Sequence, residues 1–206
     1  MDKSAIAGEL HKPAHRNFPI RKVTVKGLDD LYQADLVEML PYARQNKGYR
    51  YIITIINCLS KFAFAIPIKS KSANDVVKAM QPIFEKHLMK NLQTDDGEEC
   101  FNTKSQQLVQ QYGINHYSTF SNKKASIVER FNRTLEHLMW TEFTEQGTYR
   151  WTDILTSLVA EYNRRVHRTI GMPPADVQKK HEKVLLDQLG KQHQAYREEL
   201  QKKNAE

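Results

Sequence analysis

The stretch Tyr-Ile-Ile-Thr-Ile-Ile-Asn at residues 51–57 is the clearest structural signal in the chain. Four isoleucines and one threonine in seven positions favour a β-strand, because β-branched side chains pack well on a pleated surface. A second apolar run at residues 62–68 follows after the short link Cys-Leu-Ser-Lys, and residues 32–40 precede both as a further strand candidate. These three segments predict an antiparallel meander.

The pattern after residue 68 changes to alternating helices and strands. Apolar residues at helical spacing predict four helices, and short apolar runs predict two more strands. The predicted helices cover residues 73–88, 101–112, 126–143 and 151–167, and the predicted strands cover residues 91–94 and 114–117. The sequence therefore predicts the α/β class, with a mixed five-stranded sheet that is flanked by helices.

Changes in composition divide the chain into three parts. Residues 1–27 contain Pro13 and Pro19 without sustained periodicity and predict an extended basic arm. Residues 28–178 contain all the predicted strands and form the predicted core domain. Residues 179–206 are rich in Lys, Glu and Gln and predict a charged helical tail, with an apolar stripe that includes Leu185 and Leu189.

The composition favours some partners and disfavours others. The 31 Lys and Arg residues against 24 Asp and Glu residues give a formal net charge of +7, which favours a polyanionic partner without specifying one. No apolar run is long enough to cross a bilayer, and the N-terminus shows no secretory pattern, so we expect neither a membrane partner nor secretion. Cys58 and Cys100 form no metal-binding pair, and no zinc site is expected.

Three carboxylates lie at informative positions. Asp35 lies within a strand and shares a face with Val37, Asp95 follows a predicted strand end, and Glu129 lies at a predicted helix start. Each has an ordinary alternative explanation. Asp35 suits an edge-strand salt bridge, the Asp-Asp-Gly segment at Asp95 suits a turn, and Glu129 with Ser126 suits a capping box that satisfies helix amides. The residues taken singly leave these alternatives open.

The sequence blocks as an ordered set resemble the catalytic core of the retroviral-type integrase and DDE transposase superfamily, most of all the integrases of Polinton (Maverick) elements. The resemblance covers roughly residues 8–178. The blocks that carry it include Ala34-Asp35-Leu36-Val37, Ser60-Lys61-Phe62, Thr94-Asp95, Glu129-Arg130-Phe131-Asn132-Arg133-Thr134-Leu135, and Tyr162-Asn163 with His167-Arg168-Thr169.

This resemblance implies an RNase H-like fold in which the first strand is central and the fourth lies beside it. Asp35, Asp95 and Glu129 would then meet as catalytic residues and as ligands of two Mg²⁺ or Mn²⁺ ions. Such a protein would process DNA 3′ ends and join them to target DNA. It is expected to form homo-oligomers and to be nuclear, or to be present wherever the element or host DNA is located.

The resemblance also implies contacts with double-stranded DNA. We expect Lys123 and Lys124 in the loop before the helix, and Asn132 and Arg133 on the helix, to lie near DNA. A solvated loop is the ordinary alternative for the two lysines.

One departure from the family pattern bears on activity. Glu136 occupies a position where a DNA-contacting Lys is usual, and a carboxylate there repels phosphate. Glu136 and the missing flanking domains favour a catalytically idle, domesticated integrase that acts in DNA binding or assembly. The complete set of three carboxylates favours an active integrase. An RNase H-type nuclease is a further alternative.

Overall fold

The computed structural model describes residues 23–94, 103–118 and 125–203, and five strands form one mixed sheet in that part of the chain. The strands are β1 (Leu31–Glu38), β2 (Tyr51–Asn57), β3 (Ala63–Ile68), β4 (Asn91–Thr94) and β5 (Asn115–Ser118). Their spatial order is β3-β2-β1-β4-β5, with antiparallel pairing among β1, β2 and β3 and parallel pairing among β1, β4 and β5. The predicted five-stranded mixed sheet is confirmed.

Five α-helices accompany the sheet in the described part of the chain. They are α1 (Ala73–Lys86), α2 (Thr103–Gln111), α3 (Ser126–Gln146), α4 (Trp151–Arg164) and α5 (Glu182–Lys203). Short 3₁₀ helices occupy Leu40–Asn46, Pro174–Asp176 and Lys179–His181. None of the helices in the described ranges is long and apolar enough to span a bilayer.

Several predicted boundaries differ from the structure by one to three residues, and two of these differences have a clear structural cause. The first strand ends at Glu38 rather than at residue 40, because Pro41 has no N–H for a strand ladder and lies in the first turn of a 3₁₀ helix. The helix predicted to reach residue 167 ends at Arg164, and Arg165 has an extended backbone. His167 instead pairs with Met172 across a turn in which Gly171 has a φ of 70°.

The isoleucine-rich β2 contributes to hydrophobic cores on both faces of the sheet. Ile53 and Ile55 point into a cluster with α1 and α2, whereas Ile52 and Ile56 point into a cluster with α3 and α4. Because side chains alternate along a strand, a strand that is buried on both faces has apolar residues at nearly every position. This explains why residues 51–57 lack the alternation of a half-exposed strand.

A third hydrophobic cluster connects α5 to the rest of the molecule. Leu185 on α5 is buried against Leu59 and Ile170, and Val25 and Leu28 pack around them. The division into an arm, a core domain and a tail stays a prediction, and most of the predicted arm lies outside the described residues.

Candidate active site

Asp35 lies in β1, the central strand of the sheet. An edge-strand position for this carboxylate is therefore wrong. The half-buried side chain accepts a hydrogen bond from the amide of Leu36 at Oδ1 (2.8 Å). Asn132 Nδ2 on α3 donates to Asp35 Oδ2 at 2.7 Å. These bonds fix the orientation of the carboxylate and connect the strand directly to the helix.

Gln33, two residues before Asp35 and on the same face of β1, caps helix α3. The helix begins at Ser126 and has no side-chain cap from its own sequence. Gln33 Oε1 instead accepts hydrogen bonds from the amides of Ile127 (2.9 Å) and Val128 (3.0 Å). The capping-box alternative for Ser126 is therefore wrong, because a strand residue satisfies these helix amides.

Gln33 is also bonded to the neighbouring strand. Gln33 Nε2 donates to Gln93 Oε1 on the neighbouring strand β4 at 2.8 Å. Both glutamine side chains are buried. Nothing in the motifs singled out these two residues. The only signal in the sequence was a polar residue at the i−2 position from Asp35 in a strand that is otherwise largely apolar.

Glu129 lies between the two connections from α3 to β1. Val128, the residue before Glu129, donates its amide to Gln33. Asn132, about one turn after Glu129, donates to Asp35. The Glu129 side chain is 24% exposed, and its Oε2 lies 3.9 Å from Nη2 of Arg133. The described structure therefore places Asn132 in contact with Asp35, and Glu129 lies one turn before Asn132 on the same helix, near the exposed Arg133.

A further carboxylate, Glu136, lies within electrostatic reach of Asp35 and Arg133. Burial raises the pKa of Glu136 above its ordinary value, Arg133 opposes that shift, and the nearby charge of Asp35 raises the pKa further. Asn132 Oδ1 is buried and has no hydrogen-bond partner within the described part of the chain. Carboxylate oxygens and an unpaired amide oxygen are donors that suit a hard divalent cation such as Mg²⁺.

The third predicted carboxylate follows strand β4. Thr94, its last residue, pairs with Ala34, the residue before Asp35. Asp95 itself lies outside the described residues, and so do Lys123 and Lys124. The described residues alone form no metal-binding group of three or more His, Cys, Asp or Glu side chains. Metal binding by Asp35, Asp95 and Glu129 and the DNA contacts of the lysines stay predictions.

His116 lies on β5, and its side chain reaches the last residue of β4. Thr94 Oγ1 and His116 Nε2 are 3.0 Å apart and connect the two strands. Burial lowers the pKa of His116. Burial therefore favours the neutral imidazole.

The sequence is related to integrases and to proteins of mobile elements. Residues 28–123 match the integrase core domain family. The chain is 32% identical over 143 residues to a putative uncharacterized transposon-derived protein, F54H12.3, of Caenorhabditis elegans, an alignment that covers 68% of this chain and 50% of that protein. It is 26% identical over 150 residues to the Pol polyprotein of feline endogenous virus ECE1, covering 71% of this chain and 14% of the polyprotein. The chain thus spans about half the length of the first relative and less of the second.

Solved structures show the same fold. A chain of the simian T-cell lymphotropic virus intasome in complex with PP2A regulatory subunit B56 gamma superposes with a TM-score of 0.65 at 16% identity, over 80% of this chain and 59% of that chain. The HTLV-2 integrase catalytic core domain in complex with magnesium gives a TM-score of 0.59 at 16% identity, over 72% of this chain and 95% of that chain. The relation to Polinton elements stays a prediction. Residues 28–123 thus match the integrase core domain family, and the described residues share the RNase H-like fold of the solved integrase cores.

Proposed function

We propose that this protein integrates DNA by metal-dependent polynucleotidyl transfer, in which it processes 3′ ends and joins them to target DNA. The observation that carries the proposal is the double connection between β1 and α3. Gln33 binds the first turn of α3, and Asn132 binds the carboxylate of Asp35, so the helix turn that carries Glu129 is attached to β1 on both sides. The match of residues 28–123 to the integrase core domain family supports the same proposal.

We propose that Asp35, Glu129 and Asp95 hold two Mg²⁺ or Mn²⁺ ions. When bound, such ions activate an attacking water or 3′-hydroxyl and stabilise charge on the leaving oxygen. The residues of this chain supply the orientation. Asn132 donates to one oxygen of Asp35, and the Gln33 cap fixes the helix turn that carries Glu129. The relative solved with magnesium, the HTLV-2 integrase core domain, supports this assignment.

The proposed DNA surface lies around the same helix. The exposed Arg133 would contact phosphates, together with Lys123 and Lys124, and the net charge of +7 favours DNA. We propose homo-oligomers in the nucleus, or wherever the element or host DNA is located. The solved relatives support assembly, because one is an intasome and the other is a trimeric form.

A second candidate function is that of a catalytically idle DNA-binding or assembly protein. The half-buried Glu136 favours it, because this carboxylate adds negative charge within electrostatic reach of Asp35. A phosphate that approaches Asp35 would be repelled by both groups. Activity has to be measured to separate the two candidates.

The test offers a labelled donor duplex and an unlabelled target duplex to the full chain with Mn²⁺ or Mg²⁺. Joined product is expected, and a chelator should abolish it. The variants Asp35→Asn and Glu129→Gln are each expected to reduce joining about 100-fold or more, because loss of a metal ligand costs at least as much as loss of its supporting contacts. Asp153→Asn on the surface of α4 is the control and should join like the wild type.

Each outcome identifies one function. Hydrolysed ends without joined product would indicate an RNase H-type nuclease. DNA binding without any product would indicate the idle protein. Joining that both variants retain at the wild-type rate would contradict the proposed active site.

A further inference from the structure

A cavity of about 470 Å³ lies on a different side of α3 from Glu129. Its walls come from the first turns of α3, the β2–β3 link, the segment 165–169 and helix α5. On α3 the lining residues include Ile127, Arg130 and Thr134. At 3.6 residues per turn this face is rotated by roughly a third of a turn from the face of Glu129 and Arg133. The cavity is therefore separate from the candidate active site.

Lys61 is a buried cation that lines this cavity. The residue is 7% exposed and has a left-handed backbone with a φ of 62°. Its Nζ donates to the carbonyl oxygen of Cys58 at 2.5 Å, and this is the only hydrogen bond of the ammonium group in the described part of the chain. An ammonium group has three donors, and a buried charge without a counter-charge is costly. Within the described part of the chain, Lys61 therefore keeps N–H groups that have no acceptor and a positive charge that has no counter-charge.

Three exposed arginines line the cavity together with Lys61. Arg165 pairs with Glu161, whereas neither Arg130 nor Arg168 forms an ion pair with a carboxylate among the described residues. No Asp or Glu is among the described lining residues. Burial and then the charges of Lys61, Arg130 and Arg168 lower the pKa of His167 to about 4, which shows that the three cations act on one region.

The remaining walls are mostly apolar. Val25, Ile56, Phe131 and Leu189 line the cavity together with Tyr162 and other residues. A cavity of this volume accommodates a small organic molecule, and a few convergent polar groups would fix its orientation. The combination suits a ligand that has an anionic end and a less polar body.

We propose that this cavity binds a phosphate group on Lys61, Arg130 and Arg168. Arginine binds phosphate through paired N–H groups, and a lysine ammonium binds it as a point charge. The source of the phosphate is either inorganic phosphate or a mononucleotide whose base and sugar lie on the apolar walls. The site acts independently of the metal-dependent chemistry that we propose for Asp35 and Glu129.

The test is calorimetric titration of the full chain, in the presence of a metal chelator, with inorganic phosphate, thymidine 5′-monophosphate and thymidine. Arg130→Gln and Arg168→Gln are each expected to weaken binding of the two phosphate probes about tenfold, as for loss of one charge-assisted contact. Arg150→Gln is the matched control. It removes the same charge from an exposed position at the start of α4, outside the lining of the cavity, and it should bind like the wild type.

The outcomes separate the two sources and the failure of the proposal. Tighter binding of the mononucleotide than of inorganic phosphate would identify a nucleotide site, and equal binding would identify a phosphate site. The proposal is overturned if the wild type binds neither phosphate probe, if thymidine binds as well as its monophosphate, or if Arg150→Gln weakens binding as much as Arg130→Gln. Because the exposed arginines are tested, the result does not depend on a Lys61 variant that fails to fold. No enzymatic activity is measured, so failure here leaves the integrase proposal untouched.

Discussion

A single buried side chain, Gln33, connects three elements of the candidate active site. Its carbonyl oxygen accepts from two amides of α3, and its amide group donates to Gln93 on β4. Helix N-termini leave amides without intrahelical partners, and a polar side chain from another element satisfies them as well as a local cap does. The position of the helix start therefore depends on a residue 94 positions earlier in the chain.

We predict that Gln33→Leu lowers the free energy of unfolding by about 2–4 kcal/mol, because it leaves two helix amides and the Gln93 oxygen buried without partners. Urea denaturation of the wild type and the variant measures the difference. Gln81→Leu, at an exposed position on α1, is the control and should change stability by less than about 0.5 kcal/mol. A similarly small effect of Gln33→Leu would show that the cap is energetically unimportant.

At the scale of elements, the attachment of α5 depends on its first residue. Glu182 Oε2 accepts from the amide of Leu28 at 2.7 Å and pairs with Lys179 Nζ at 2.7 Å. Gly27 permits this approach, since a Cβ there would lie 3.1 Å from the Glu182 carboxylate oxygen. The carboxylate thus connects the start of α5 with the segment that leads into β1.

This attachment should depend on pH. The Leu28 amide, and then Lys179, lower the pKa of Glu182 below its ordinary value of 4.5. A carboxyl group whose pKa is lower in the folded state stabilises the fold above pH 4.5, and the stabilisation is lost as the pH falls through the folded value. We predict that Glu182→Gln flattens the fall in unfolding free energy below pH 4.5, measured by urea denaturation at several pH values. Glu198→Gln, on the same helix, should keep the wild-type slope, and equal slopes for all three proteins would contradict the prediction.

The apolar side of α5 gives a second prediction for this element. Leu185 is 2% exposed and packs in a cluster with Leu59 and Ile170. Leu185→Ala should lower the free energy of unfolding by about 2–4 kcal/mol, because it removes buried methyl groups and leaves a cavity. The adjacent Val184 is 66% exposed, so Val184→Ala is the control, with an expected effect below about 0.5 kcal/mol. Chemical denaturation measures both, and equal effects would mean that α5 is not held by this cluster.

At the scale of the whole molecule, the net charge of +7 coexists with acidic groups at the candidate active site. Net charge attracts DNA from a distance, whereas individual side chains decide how many phosphates are neutralised. Arg133 and Glu136 lie on one face of α3, where the arginine attracts phosphate and the carboxylate repels it. The overall charge therefore gives less information on DNA binding than the charges on this face do.

We predict that DNA affinity falls linearly with salt concentration on logarithmic axes, and that Arg133→Gln reduces the slope by about one, as for loss of one phosphate contact. Glu136→Lys should steepen the slope by about the same amount. Fluorescence anisotropy with a labelled duplex at several salt concentrations measures the slopes. Arg150→Gln, which removes an exposed charge at the start of α4, is the control. An unchanged slope for Arg133→Gln would show that this arginine contacts no phosphate.

The sequence alone was sufficient for the elements of the sheet and for the identity of the fold. Residues 51–57 specify a strand that is buried on both faces, because the density of β-branched residues is a local property. The blocks around Asp35 and Glu129 carried the family resemblance for the same reason, since each block is contiguous. The ends of elements were less accurate. Helix α4 ends at Arg164, before the turn that His167 and Met172 form.

Only the tertiary structure decided how the site is held together. The bonds from Gln33 to the start of α3 and from Asn132 to Asp35 connect residues that are 94 to 97 positions apart. A glutamine or asparagine amide can satisfy almost any donor or acceptor, so its local sequence does not reveal its partner. The cationic cavity around Lys61 was also invisible in the sequence, because its charges come from the β2–β3 link, α3 and the segment 165–169, which meet only in the folded chain.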